Sequence, residues 1–204
     1  MAVDEWLLET ATTPVLRVYG WKGEWASLGY FGEIAAAGLA FPGLNLVRRW
    51  TGGGMVDHRA DWTYTIVAPH GEPLAAWRGT ESYRLLHAAL AETLVAEGVE
   101  ARISGGKEET GDALCFENPV HYDLLGADGR KLAGAGQRRS RAGLLHQGSV
   151  AAACDDNAHS TQRAEDFAAR ISKEWTNFPL QPDSQDLAGR ISVRYARDEW
   201  TNRR

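Results

Sequence analysis

A chain of 204 residues with 44% apolar and 24% charged residues and a formal charge of −5 has the composition of one globular domain with a sizeable core. No apolar run approaches the ~20 residues that cross a bilayer, and the negative charge argues against a broad nucleic-acid surface or a membrane-surface role. Residues 1–204 are therefore read as a single soluble domain. The start, Met1-Ala-Val-Asp-Glu-Trp6, lacks a basic region followed by an apolar core, so it reads as a helix start and not as a secretory signal, which points to the cytoplasm. Cys115 and Cys154 are too far apart for a zinc or redox motif, no metal site is expected, and a reducing compartment keeps both as thiols. Arginines gather at Arg48 and Arg49, at Arg138, Arg139 and Arg141, and at Arg203 and Arg204, which suits acidic protein partners.

In chain order, Val15–Trp21, Leu44–Trp50 and Thr63–Val67 are β-rich runs bounded by Gly or Pro. Between Thr80 as N-cap and Gly98 as stop, Leu86, Leu90 and Leu94 recur every four residues beside Tyr83 and Leu85, which predicts an amphipathic helix. Ser104–Asp112 is aperiodic and is expected to be a mobile surface loop leading into Ala113-Leu-Cys-Phe116. His121–Leu125 and Lys131–Gln137 read as strands joined through Asp128-Gly129, a hairpin turn signal, and Gly143–Ala152 continues the sheet. Two helices follow, one with Phe167, Ile171 and Trp175 after Ser160, the other with Leu187, Ile191 and Tyr195 after Ser184. Strands and helices interleave without regular β-α-β alternation, so the expected fold class is α/β of the α+β type: a mixed sheet with packed helices.

Two stretches carry candidate chemistry. In Arg48-Arg-Trp-Thr-Gly-Gly-Gly-Met-Val-Asp-His58, Gly52, Gly53 and Gly54 remove every Cβ from one turn, so a ligand can approach the backbone closely, and the two arginines can clamp an anion. The alternative is a plain tight turn. In the segment from Lys131, a strand alternating with Ala133 and Ala135 leaves room for a narrow apolar channel with Lys131 at its mouth. Its ammonium can hydrogen-bond a substrate oxygen or, with a value lowered by burial, take a proton; the alternative is a solvated lysine after a turn. Cys115 beside Phe116 is, on residue type alone, an inert core thiol. His58 and His146 can orient the lysine or contact substrate, or be structural, and Cys154 is read as structural.

Arg48-Arg-x-Thr-Gly-Gly-Gly-x-Val-x-His58 resembles the acyl-binding loop of lipoate-protein ligases, and Gly129-Arg-Lys-Leu-Ala-Gly-x-Gly-Gln-Arg-Arg139 with His146-Gln-Gly-Ser149 resembles their lysine-bearing segment. Met1–Leu8, Arg17–Trp21, Ser27–Phe31 and Tyr195–Trp200 add to the resemblance, which runs over nearly the whole chain. It implies the catalytic-domain fold of the biotin/lipoate protein ligase and octanoyltransferase superfamily, with Lys131 contacting the acyl group and Arg48, Arg49, Thr51, Gly52, Gly53, Gly54, His58, Gly134, Gly136, His146 and Gly148 around the substrate.

Ala113-Leu-Cys-Phe-Glu-Asn-Pro119 is similar to the loop bearing the nucleophilic cysteine of single-domain octanoyltransferases, which take octanoate from acyl carrier protein and pass it to a lysine of a lipoyl-domain protein. That resemblance implies Cys115 as nucleophile, Lys131 as its activator and no cofactor. A lipoate ligase forming lipoyl-AMP would need ATP and Mg²⁺ and would leave Cys115 idle; full ligases of this kind carry a C-terminal accessory domain, which is not expected here and which a separate partner could supply. A non-catalytic binder of lipoyl domains or acyl carriers is the third reading. The chain departs from the family in being short between Ile34 and Leu44 and after His146, which leaves the preferred acyl size and the cover of the acyl site open, and in having Arg59 where an acidic residue is common.

Overall fold

Antiparallel pairing organises most of the chain around one sheet. The computed structural model describes every residue except Glu108, Asp155 and Arg204, so one member of the C-terminal arginine pair, one residue of the Ser104–Asp112 loop and one neighbour of Cys154 lie outside the described residues. In chain order the elements are α1 (Ala2–Thr10), β1 (Val15–Tyr19), β2 (Trp25–Leu28), α2 (Ile34–Ala40), β3 (Asn45–Arg48), β4 (Val56–Asp57), β5 (Trp62–Pro69), α3 (Pro73–Ala76), α4 (Gly79–Ala96), β6 (Arg102–Ile103), β7 (Leu124–Leu125), β8 (Lys131–Ser140), β9 (Gly143–Val150), α5 (Asn157–Ile171), α6 (Ser184–Arg190) and α7 (Asp198–Thr201). The main sheet runs β1-β5-β9-β8-β7-β6, and a small sheet runs β3-β2-β4, with β2 parallel to β3 and antiparallel to β4. The mixed sheet with packed helices is the expected class.

Strand periodicity divides the main sheet into two working faces. On one, Tyr64, Ile66, Ala133 and Val150 pack against Leu86, Leu90 and Leu94 of α4 and Phe167 of α5. Each of those large apolar side chains contributes about 1.5–3 kcal/mol on full burial, which explains why the four-residue leucine spacing was readable as a helix. On the other, Val15, Val67 and Leu145 meet Leu7 and Leu8 of α1. The same face carries the polar row Tyr19, Thr63, Ser149 and Gly134, aligned by register across β1, β5, β9 and β8.

Several boundaries differ from the sequence reading for local reasons. Helix α4 begins after Arg78, whose backbone N–H donates to Glu81 Oε2 at 3.1 Å, and not after Thr80. Its stop is as expected: Gly98 takes φ +83°, a conformation glycine adopts without a Cβ clash. The Asp128-Gly129 turn forms between β7 and β8, but the strand expected over His121–Leu125 shrinks to Leu124–Leu125. Tyr122 takes φ +70°, alone among described non-glycine residues in having a positive φ, so the chain turns there instead of extending. Helix α5 ends at Ile171, leaving Trp175 beyond it.

Candidate active site

The glycine loop is packed backbone against backbone. A Cβ on Gly54 would lie 2.7 Å from the Ala113 carbonyl oxygen and 3.2 Å from Cys115 Cα, and one on Gly136 would strike the Gly52 carbonyl oxygen and come 2.9 Å from Thr51 Oγ1. Only Gly52 of the triplet faces open space without a positive φ. The loop therefore lies over β8 at Gly136 and against the Cys115 segment. Met55 N–H donates to the Ala113 carbonyl at 3.0 Å and Cys115 N–H to the Met55 carbonyl at 2.8 Å, which pins the short 3₁₀ turn Cys115–Glu117 to the loop's end.

Cys115 and Lys131 meet. Lys131 Nζ lies 3.2 Å from Cys115 Sγ and 3.3 Å from the Asn118 carbonyl oxygen, and 2.6 Å from Asp123 Oδ2. An ammonium has three N–H donors, and three acceptors are in reach. Lys131 is 7% exposed, so it is not the solvated lysine that its place after a turn allowed. Of the two alanines expected at the channel, Ala135 lines the cavity and Ala133 does not. Ala133 points into the α4 core, and the missing side chains of Gly134 and Gly136 make the space on the other face, with Lys131 folding back over Gly134.

A narrow cavity of about 30 Å³ runs from Cys115 past Gly53, Gly134 and Gly136 to His58, Tyr19 and Met1. That volume is about one water's share of liquid, so an eight-carbon chain enters only as the lining parts. Met1 presents an adaptable thioether, whose sulfur accepts a 3.4 Å hydrogen bond from Gln147. A larger depression of about 400 Å³ at the end of α4, lined by Val95, Gly98, Val99 and Leu125, holds neither Cys115 nor Lys131.

The arginines serve the scaffold first. Arg48 is fully buried and spends its N–H groups on the carbonyls of Gly29, Tyr30, Gly32, Trp200, Thr201 and Arg203, so it is placed as a clamp within the fold and not at the cavity. Arg49 lines the cavity but also donates to the Gly52 and Gly54 carbonyls at 3.2 and 2.9 Å, which holds the loop's shape. Thr51 donates to Gln147 Oε1 at 2.9 Å. His58 lies at the cavity wall, stacked on Trp21 at 4.1 Å between ring centroids. Ser27 Oγ accepts from Arg49 at 2.7 Å and shares a hydrogen bond with His58 Nε2 at 2.6 Å, while His58 Nδ1 lies 2.8 Å from Asp61 Oδ2. His146 lies on the opposite face, between Tyr64 and Gln137 at 3.1 and 3.0 Å, where burial pulls its value well below the usual range. Gly148 lines the cavity with its backbone, and on the other side a Cβ there would strike the Tyr64 ring.

Residues 1–174 match the lipoyl protein ligase A/B catalytic domain, and over the whole chain and 94% of its length the octanoyltransferase LipM of Kyrpidia tusciae is 34% identical. The chain belongs to the lipoyl protein ligase A/B catalytic-domain family. The octanoyltransferase LipM of Moorella thermoacetica is 40% identical over 162 residues, 74% of this chain and 59% of that protein; the chain thus spans about three fifths of the length of several relatives it matches. The alignment with the Kyrpidia tusciae protein extends over 258 positions against 204 residues here, so this member of the lipoyl protein ligase A/B family lacks internal stretches its relative has. A lipoate-protein ligase A bound with ATP superimposes with a TM-score of 0.76 at 19% identity over 98% of this chain and 92% of that one. A lipoate protein ligase of Thermoplasma acidophilum with bound lipoic acid superimposes with a TM-score of 0.75 at 17% identity over 98% and 91%. At those identities the likeness is one of fold.

Asp123, Tyr83, Asp61 and Ser27 surround this family member's candidate site and were not among the site residues expected from the sequence. Asp123 had a signal: a lone carboxylate within Tyr122-Asp-Leu-Leu125 must be paired if the run is buried. Tyr83 shares the helix face of Leu86 and Leu90, and a buried phenol of that kind needs a partner for its hydroxyl.

Proposed function

We propose that the protein transfers an octanoyl group from acyl carrier protein to a lysine of a lipoyl-domain protein, through a thioester on Cys115. One observation carries this reading: a buried lysine amine stands 3.2 Å from the Cys115 sulfur at the end of a narrow cavity. A cation at that distance favours the thiolate, which is the nucleophilic form. Attack on the carrier's thioester exchanges one thioester for another, so neither ATP nor a resident cofactor is required. The neutral amine of the acceptor lysine then attacks the Cys115 thioester; an amide forms, the sulfur leaves, and the amine's proton returns to it. Lys131 is placed to donate a hydrogen bond as charge develops on sulfur or on the acyl oxygen. The relatives named octanoyltransferase support the assignment, and the missing side chains of Gly134 and Gly136 mark the path along which the lining would part for a straight acyl chain.

Intact mass after mixing the protein with octanoyl-acyl carrier protein, in the absence of ATP, tests it. The expected product is a hydroxylamine-labile octanoyl adduct that is lost in Cys115→Ser. Labelling of a lipoyl domain that demands ATP and Mg²⁺ and survives Cys115→Ser would overturn it in favour of a ligase. Tight lipoyl-domain binding with neither reaction would make the protein a binding module.

A further inference from the structure

Lys131 has a second buried partner that acyl transfer as described leaves without a part. Asp123 Oδ2 lies 2.6 Å from Lys131 Nζ, and the carboxylate side chain is wholly buried. It is held from three sides. The Tyr83 hydroxyl donates to Oδ1 at 2.5 Å and accepts the Ala135 N–H at 2.9 Å, while the Val120 N–H donates to Oδ2 at 2.8 Å. Just before it, Tyr122 sits at φ +70° with its carbonyl accepting from His87 Nδ1 at 2.6 Å. A bulky residue is strained in that region, and such strain gathers where a side chain must be aimed. A buried ion pair adds little net stability, so neither feature is explained by stability alone.

We infer that Asp123, aligned by Tyr83, is a positioning residue that fixes Lys131 as a hydrogen-bond donor at Cys115. The inference rests on the reading of Cys115 as acyl acceptor. In that step the bond from Sγ to the acyl carbon forms and the donor's carbon–sulfur bond breaks. The Cys115 proton goes to solvent as the thiolate forms, and the departing donor sulfur takes one back from solvent. The groups facing the site come from two elements. Arg49 faces Cys115 from the glycine loop; Tyr83 and His87 face Asp123 and Lys131 from α4. Burial lowers His87 to about 4, so it is neutral at working pH, and burial with the charge of Asp123 keeps the Tyr83 phenol protonated.

Electrostatics then gives two substitutions opposite signs. Asp123→Asn leaves the ammonium with sulfur as its one anionic partner and favours the thiolate. Tyr83→Phe takes a donor from Asp123, whose carboxylate then draws more on Lys131, and disfavours it. The measurement is the rate of iodoacetamide alkylation of Cys115 against pH in the full chain, read on the Cys115 peptide by mass so that Cys154 does not interfere. The Asp123→Asn midpoint is expected about one pH unit lower, which is about tenfold faster alkylation at a fixed pH below it; the Tyr83→Phe midpoint is expected higher, and octanoyl transfer slows in both. Midpoints that stay in place or move together in folded variants would overturn the inference, because a merely structural role does not produce shifts of opposite sign. Should Asp123→Asn fail to fold, Tyr83→Phe decides alone: a rise supports the role and a fall or no change overturns it. Alkylation needs no acyl donor, so failure of the parent protein to form an octanoyl adduct would count against the acyl-enzyme and leave the alkylation result to be read separately.

Discussion

Gly54 and Gly52 stand two residues apart in one motif yet are under different constraints. A methyl group at Gly54 must displace the Ala113 carbonyl or Cys115 itself, whereas at Gly52 it meets nothing within 4 Å. Misplacing a nucleophile by about 1 Å costs on the order of 100-fold in rate. Gly54→Ala is therefore expected to slow octanoyl-adduct formation about that much, measured as a mass time course, while the unfolding midpoint of Gly52→Ala corresponds to a change within about 0.5 kcal/mol, as for an unobstructed surface substitution. The same contrast explains what was legible at this scale. That Gly-Gly-Gly bends the backbone is a property of glycine and could be read directly; that the bend lies against another strand's backbone depends on Gly136, 84 positions from Gly52 in the numbering, and could not.

Helix α4 joins two properties, one readable and one hidden. Its leucines announce the core face, but the same face carries His87, sealed against Tyr83 at 4.1 Å between ring centroids and neutral, and it packs against His146 of β9 at 5.8 Å. Burial pulls His87 down to about 4, with Asp123 and the Tyr122 carbonyl opposing it only in part, and burial, His87 and Arg139 pull His146 in the same direction. The unfolded chain binds a proton at each near the ordinary histidine value of ~6.5, and the folded chain does not until far lower pH. Stability is thus fully present above ~6.5 and declines as pH falls towards about 4, by about 3 kcal/mol for His87 alone. Urea unfolding at pH 7.5 and pH 5 is expected to show a lower midpoint at pH 5, and His87→Gln should flatten the difference; equal midpoints would contradict the burial argument. In the sequence this histidine is one of six, and its helical position gave no sign that the ring would be enclosed.

At the scale of the molecule, Arg48 ties the chain's end to its middle. Its guanidinium bonds the carbonyls of Trp200, Thr201 and Arg203 on one side and of Gly29, Tyr30 and Gly32 on the other, while Trp200 Nε1 returns a bond to the Arg48 carbonyl at 3.1 Å. Arg194 and Arg203 stack on Trp50, Trp200 and Tyr30 around the same junction. Arg48→Ala strands several buried carbonyls, each costing about 1–3 kcal/mol when unsatisfied. The expected result is a loss of at least about 3 kcal/mol, and proteolysis within residues 191–203 well below the temperature at which the main sheet melts; cleavage only at global unfolding would show the segment is not held by this side chain.

Residue order by itself determined the periodic elements, the glycine bend and the hairpin at Asp128-Gly129, because each of these is expressed within a few consecutive residues. Among the described residues, no helix is long and apolar enough to cross a membrane, as the composition implied. The tertiary structure decided which residues meet: the phase of β8, which puts Gly134, Ala135 and Gly136 at the cavity and Ala133 in the α4 core; the withdrawal of Arg48 and His146 from it; and the Asp123 carboxylate behind Lys131. The physical reason is that two-residue strands such as β4 and β7 carry no period of their own, so their register, and with it the face each neighbour presents, is set by distant partners through backbone hydrogen bonds and close packing.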